Sequence, residues 1–476
     1  MEIKRRQFLQ ASTAVMALGL TDGVSLLSGH QAAKAANSPT KRVRCDVNAS
    51  ISDSDHVAAY ERAVRLMMDR NSNPNDPLSW ESQAQIHQNH CPHGNWWFLP
   101  WHRAYLFHFE SICQKVLSDP DFRLPYWNWS KDRAVPAAFW DERTSLYHPG
   151  REIRPNEEID GEVVGRVPIN RILANNVDVL LYSGATRTDN QRAPGSQGEL
   201  ESTPHNGVHS LIGGEMGSFL SPRDPIFWLH HANVDRIWRS WSELHQHRSI
   251  EDKLWRDHKL TTFFDAGGKE ITHVTASTED YQQFNAEYDA LETVDTLNPV
   301  RKMSAFALTS KSLGGNRLVS FSADVGDLGD SGSMKLAIDN PIKNSIALAS
   351  APLLASEEKS VDSVVLMKIE GISVKNTDTR LRVFINCDNP SPNTPIGSPS
   401  YVATINFFGV GHGQHGGEGL DFIFNCSSTF AKLKKSGLYN GSSDIKVSFV
   451  PIAGRNAKEP AVLSDVKPKR VTFVGL

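Results

Sequence analysis

Apolar residues recur at helical spacing in three stretches of the first 300 residues. Asp55 to Met68 places Val57, Tyr60, Val64 and Met67/Met68 along one side of a helix, and Trp101 to Leu117 and Pro225 to Leu244 carry the same period. After about residue 300 the texture changes. Short β-rich runs alternate with Gly, Asn, Ser and Asp: Val364 to Ile369, Leu381 to Ile385, Tyr401 to Phe408, Leu420 to Phe424, Ile445 to Val450 and Val471 to Val474. Such a series predicts a β-sandwich. The polar stretch Gly326 to Ser333 predicts an exposed loop or linker, and no internal repeat is visible. The pattern predicts a mainly α helical-bundle domain over 36–300 and an all-β sandwich domain over 301–476. Two domains suit a chain of 476 residues, longer than one hydrophobic core usually serves.

The N-terminus breaks from both patterns. Lys4-Arg5-Arg6-Gln7-Phe8-Leu9-Gln10 precedes the short apolar run Ala11 to Leu20 and the small residues Ala33-Lys34-Ala35-Ala36. A charged start, about ten apolar residues and an A-x-A site predict a signal peptide over 1–35, too short for the roughly 20 residues a membrane span needs. The arginine pair before Phe8-Leu9 resembles the twin-arginine export signal, which implies a periplasmic or extracellular protein exported folded. No later segment reads as a membrane span. With 22% charged residues and a net charge of −4, the chain offers no basic groove for nucleic acid and no polybasic membrane patch. Its five cysteines (Cys45, Cys91, Cys113, Cys387, Cys426) are too few for a disulfide scaffold, and the odd count asks what occupies the leftover sulfur. Cys91 sits two residues from His93. The other four allow three pairings, of which Cys387 with Cys426 is the first to test. Nothing in the sequence sets the oligomeric state.

Candidate chemistry lies in the histidines. Ile86 to Arg103 holds His87, His90, His93 and His102, interleaved with Trp96, Trp97, Phe98 and Trp101. Neutral imidazole is the commonest protein metal ligand, and three without a carboxylate suit copper, zinc or nickel. Pro92 and Pro100 interrupt regular structure, placing His93 on a bend or helix start and His102 at the opening of the next helix. The aromatics between them supply a dry wall. In a second window, Pro204 to His209, His205 and His209 stand four residues apart and share a helix face about one turn apart. Asn206 stands where a zinc protease needs its base glutamate, which counts against a zinc hydrolase.

From His93 to Glu110 the chain reads H-x4-F-L-x-W-H-R-x2-L-x3-E. Asp224-Pro225-Ile226-Phe227-Trp228-Leu229-His230-His231-Ala232-Asn233-Val234-Asp235 reads D-P-x-F-aromatic-x2-H-x3-D. These resemble the two copper motifs of the tyrosinase, catechol oxidase and haemocyanin group, the type-3 copper proteins. Leu124 to Trp129 looks like that family's strand between the sites. Phe263 to Ala266, Tyr288-Asp289, Leu381 to Asn386 and Ile445 to Pro451 resemble later segments of plant-type polyphenol oxidases, the last two in the C-terminal shielding domain. The resemblance implies two copper ions held by His87, His93 and His102 and by His205, His209 and His231. His90 stands as the rival to His87, and His230 as a core neighbour of His231. Phe227 would pack over the site, and Asp235 and Arg236 would orient nearby polar groups. Cys91-Pro92-His93 matches the arrangement in which many relatives join cysteine sulfur covalently to the histidine ring, which would account for the odd cysteine.

The reaction so implied is oxidation of phenols to o-quinones with O2 as co-substrate. Glu201, four residues before His205, and Asn206, directly after it, match positions that hold a water in relatives and favour hydroxylation of monophenols over catechol oxidation alone. Phe219 resembles a gate residue of plant enzymes, with Ser218 the alternative because the chain is one residue shorter there. A haemocyanin-like oxygen carrier is the rival from another class, and a separate binding module over 301–476 a third reading. As a shield, the C-terminal domain implies latency until it is removed. Gly411 to Gly416 is the candidate loop for blocking the site.

Overall fold

The computed structural model describes the chain from residue 43 to 475, except 49–53, 74, 176–181, 185–188, 191–194, 248, 285–286, 295–318, 327, 329–331, 350–363, 376–378, 409–418, 443, 455–456 and 458. The N-terminal targeting segment and the Gly411 to Gly416 loop lie outside the described residues. Lys41–Leu476 form one compact unit. Among the described residues no helix is long and apolar enough to cross a membrane.

The helices that build the first part are α1 (Ser54–Asp69), α2 (Trp80–His90), α3 (Phe98–Leu117), α4 (Gly161–Val164), α5 (Arg166–Asn175), α6 (Asn206–Ile212) and α7 (Ile226–Leu244). The period read from the sequence is the packing surface. Tyr60, Val64 and Met67 of α1, Trp101, Tyr105 and Phe109 of α3, and Phe227, Ile237 and Trp241 of α7 are buried in one apolar cluster. Local signals set the helix ends. Ser79 caps α2, its side chain accepting the Ser82 N–H. Asp224 caps α7 by accepting the Ile226 N–H at 3.1 Å, while Arg151 grips both its carboxylate oxygens at 2.8 and 2.6 Å. Helix α3 starts three residues earlier than the sequence predicted. Pro100 sits in its first turn, where a missing N–H costs nothing because those donors have no intrahelical partner.

Three other expectations need correction. Leu124 to Trp129 is not a strand; it makes an isolated bridge, Tyr126 with Asp46, and the Trp127 N–H turns to the Leu229 carbonyl of α7 at 3.2 Å. The polar stretch from Gly326 is not simply an exposed linker. Leu328 within it is buried, and a strand begins at Ser333. Cys387 and Cys426 do not pair: both are thiols, Cys426 buried and Cys387 half-buried.

The C-terminal part is strand-rich but not all-β. A four-stranded sheet runs in the order Tyr401–Ile405, Arg380–Ile385, Asp444–Ile452, Ser333–Ala337. A larger sheet runs Ser196–Gln197, Leu420–Asn425, Val365–Val374, Arg470–Gly475, Val319–Asp324. Val383, Val447 and Phe449 of the first and Met367, Phe422 and Phe473 of the second share one apolar cluster. Two helices, Asn340–Ala349 and Ser427–Lys435, accompany the sheets. Ser196–Gln197 belongs to the helical part in sequence, yet pairs in parallel with Leu420–Asn425. That strand addition brings the C-terminal part against the segment leading to His205.

Candidate metal centre

Four helices and two of the turns beside them bring seven histidines together. Helix α2 supplies His87, the turn after it His93, α3 His102, the Glu201–His205 turn with α6 His205 and His209, and α7 His230 and His231. All seven are buried, whereas His90 is half-buried and stands outside the cluster. The backbone over Glu201–His205 is π-helical and includes Pro204, so His205 does not sit on a regular helix turn as the spacing suggested. Donor atoms of His205, His209, His230 and His231 lie within 4.8 Å of one another, as do those of His87, His102 and His231, and of His87, Cys91 and His93.

The outer nitrogens show which way each ring is held. His87 Nδ1 donates to the Phe219 carbonyl at 2.7 Å, His102 Nδ1 to Phe98 at 2.8 Å and His209 Nδ1 to Met216 at 2.6 Å. A carbonyl can only accept, so each of these rings carries its proton on Nδ1 and turns an Nε2 lone pair inward. His205 Nδ1 donates to Asn206 Oδ1 at 2.9 Å. His93 Nδ1 faces Glu201 Oε1 at 3.3 Å. Inside the cluster, Nε2 of His87 lies 3.2 Å from Nε2 of His93, and Nε2 of His209 lies 3.3 Å from Nε2 of His231. The buried Nε2 atoms of His102 and His205 have no hydrogen-bond partner among the described residues. His102 and His231 stack at 4.3 Å between ring centroids.

Burial comes first, and the neighbouring rings second, in pushing His93, His102 and His231 well below the usual imidazole range. His205 is lowered in the same way, and burial brings His209 to about 3. The cluster is therefore neutral, the state that binds metal.

These residues fit metal ions. An imidazole bond of about 2.0–2.1 Å, the zinc value, spaces two tetrahedral ligands about 3.3 Å apart, the separation seen in both close pairs. A cation also satisfies inward lone pairs that otherwise face one another or nothing. His230 differs. The indole N–H of Trp129 points at its Nδ1 at 3.2 Å, and an indole can only donate. The His230 proton then resides on Nε2, which removes that atom as a ligand.

Aromatic rings enclose the cluster. Phe227 lies 4.2 Å from His231 and Phe98 4.6 Å from His205, by ring centroids. Phe219 lies 5.5 Å from His93, whereas Ser218 caps its own loop by bonding the Glu215 carbonyl and the Leu220 N–H. Phe408, just beyond the C-terminal strand Tyr401–Ile405, also reaches the cluster. Its ring lies 4.1 Å from His209, 5.0 Å from His93, 5.7 Å from His205 and 5.5 Å from Phe219. The sequence reading missed it. The only signal was two consecutive phenylalanines at the end of a run already counted as strand.

Residues match the common central domain of tyrosinase over 77–172 and 166–244. Over residues 77–244 the chain thus carries the central domain of the tyrosinase family. It is a copper oxidase of the type-3 class, whose members use a two-copper centre. Residues 323–466 match a domain of unknown function. The chain is 28% identical to the tyrosinase HcTyr1 of Hahella sp. (strain CCB-MM4), over 83% of this chain and 93% of that protein. It is 27% identical to polyphenol oxidase E, chloroplastic, of Solanum lycopersicum, over 87% of this chain and 75% of the other. A latent aurone synthase (polyphenol oxidase) shares the fold at a TM-score of 0.68 and 21% identity, covering 92% of this chain and 89% of its own.

Other predicted residues have structural partners. Asp235 accepts from Arg103 at 2.7 Å and from the Tyr288 hydroxyl at 2.6 Å, which ties α7 to α3. Arg236 turns away to Glu292 and the Ala290 carbonyl. Glu201 is fully buried, and burial pushes its carboxyl up to about 8 against the pull of the Gly94 N–H. That N–H donates to Oε1 at 2.8 Å, and Oε2 has no hydrogen-bond partner among the described residues.

Proposed function

We propose that this chain oxidises phenols to o-quinones with O2, one copper held by His87, His93 and His102 and the other by His205, His209 and His231. The observation that carries the assignment is the direction of the rings. His87, His102, His205 and His209 all hand their outer nitrogen to an oxygen acceptor and direct the inner one into a shared cavity. Two coppers, when bound, supply two-electron exchange with O2 and the oxidation of a coordinated phenol. The protein's part is positioning. The Phe219, Phe98 and Met216 carbonyls fix ring orientation, an outer-shell control that metal sites depend on. Phe98, Phe219 and Phe227 keep the site dry and offer flat apolar surface to an aromatic substrate.

Glu201 distinguishes the two substrate classes. A monophenol, with a pKa of about 10, must lose its proton to react, and Glu201 Oε2 is a buried acceptor without a partner. We assign Glu201 to that proton, directly or through a held water. Asn206 has a different part: its Oδ1 orients His205. Cys91, whose sulfur lies with the donor atoms of His87 and His93, is the partner for a thioether to His93.

Phe408 is read as the cover. Its ring lies 4.1 Å from that of His209, against the histidine cluster, which supports a latent enzyme with residues 301–476 as shield, a two-sheet sandwich, and 36–300 as catalytic domain. The arginine pair at Arg5-Arg6 supports export through the twin-arginine route. Copper-loaded full-length protein given catechol and O2, before and after limited proteolysis near residue 300, tests the whole reading. Quinone colour that rises on cleavage supports it. Reversible O2 uptake with no quinone in either sample makes the chain a carrier instead, and turnover unchanged by cleavage removes the shield.

A further inference from the structure

We propose that Asn406 is a positioning residue of the metal centre: its carbonyl fixes the Asn206 amide, and that amide fixes the tautomer of His205. The C-terminal part would then complete the second histidine triad as well as cover it. The inference rests on the ligand assignment above.

The Asn206 amide has three neighbours: His205 Nδ1 at 2.9 Å, Gln197 Oε1 at 2.8 Å and the Asn406 carbonyl oxygen at 2.9 Å. The orientation of an asparagine amide follows from its hydrogen-bond network. His205 can present either tautomer, and the Gln197 amide can turn over. The Asn406 carbonyl has no such freedom; it only accepts. The Asn206 atom beside it must therefore be the NH2 nitrogen, which leaves Oδ1 facing His205. An acceptor at that place requires the imidazole proton on Nδ1 and leaves Nε2 as a lone pair. His102 and His209 receive the same instruction from carbonyls within the helical part, Phe98 and Met216. His205 receives it from two hundred residues away.

Asn406 is itself held in place. Its N–H donates to the Ser202 carbonyl at 3.1 Å and its side-chain amide to the Thr203 carbonyl at 3.1 Å. On either side, Thr203 Oγ1 donates to the Thr404 carbonyl at 3.1 Å and Ser210 Oγ to the Phe407 carbonyl at 2.8 Å. Gly207 permits the approach. A Cβ there would meet Asn406 Nδ2 at 3.2 Å and Val163 Cγ1 at 2.1 Å. Asn406 and Asn206 are both buried, so no bulk water substitutes for the carbonyl.

The test is a chelator titration of copper-loaded full-length protein, reading copper per chain, for wild type, Asn406→Leu, Asn206→Leu, Asn206→Asp and Phe408→Ala. Asn406→Leu keeps the side-chain shape but loses the anchor on Thr203. One of its two coppers should leave at about 10–100-fold lower chelator, the usual cost of losing an outer-shell partner. Asn206→Leu should do the same from within α6, and serves if Asn406→Leu does not fold. Asn206→Asp retains an acceptor for His205 and should hold both coppers, as should Phe408→Ala. Nitrogen-15 spectra of the copper-free chain should show His205 as one tautomer in wild type and as a mixture in Asn406→Leu. Wild-type chelator midpoints in both leucine variants, or an unchanged His205 tautomer, overturn the proposal. A wild type that binds fewer than two coppers overturns the ligand assignment instead.

Discussion

The two histidine windows reach the same cavity by different means. The first takes its hydrogen bonds locally: the Nδ1 atoms of His87, His93 and His102 face Phe219, Glu201 and Phe98, all within the helical part. The second is shared. His209 leans on Met216, but His205 leans on an asparagine whose amide is held by Asn406, and Phe408 packs closest to His209. By these hydrogen bonds one half of the cluster belongs to the helical part alone, and the other half to two regions in contact. Loosening the C-terminal part should disturb the halves unequally.

Ligand replacements give the largest effects and test the comparison most directly. His102→Ala in one half and His231→Ala in the other should each leave one copper per chain by metal analysis and abolish quinone formation. His230→Ala should keep both coppers, because Trp129 already directs its proton to the inner nitrogen. The opposite result for His230 and His231 would redraw the second triad.

Glu201→Gln comes next. It should slow oxidation of tyrosine by about 10²–10⁴-fold, the usual worth of a positioned proton acceptor, with a much smaller loss on catechol. Equal losses on both substrates would make Glu201 a mere support for His93. Phe408→Ala follows, and should raise catechol turnover of the uncut protein. Burying a phenylalanine contributes about 1.5–3 kcal/mol, which at 1.4 kcal/mol per tenfold corresponds to roughly 10–100-fold in the open fraction. Copper content should not change.

The smallest effect concerns the first half alone. His108, on α3 with His102, meets His273 Nε2 to Nε2 at 2.7 Å. Burial first, and His273 second, lower it to about 4, against the opposing pull of Asp265. A folded-state value below the unfolded one means that the unfolded chain takes up the proton first. Stability from this ring is complete above about pH 6.5 and is lost as pH falls towards 4. Replacing it by glutamine should flatten denaturant-measured stability of the copper-free chain between pH 7 and 4.5, by at most about 3 kcal/mol.

Much of the centre was legible because its signals are local. The spacing of His205 and His209, the twelve residues from Asp224 to Asp235 and the dense first window each point to a histidine of the buried cluster from short stretches of chain. The helices at Ser54–Asp69 and Ile226–Leu244 were legible for a similar reason: one face buried against one core imposes a 3.6-residue period. Where a backbone group finds its partner far away, the sequence misled. Leu124 to Trp129 has the composition of a strand, yet the Trp127 N–H bonds a helix carbonyl.

By itself, then, the sequence singled out the histidines that gather in one cluster and most of the stretches that form helices and strands, since both follow from residue type and spacing over a few turns. Tertiary structure alone decided what the outer nitrogens of His87, His102, His205 and His209 touch, that His87 and not His90 joins the cluster, and that Phe408 packs against it. Those outcomes depend on hydrogen bonds and contacts between segments as much as two hundred residues apart. Asn406 carries no motif at all; its effect comes from a main-chain carbonyl, which every residue possesses and only the fold can aim.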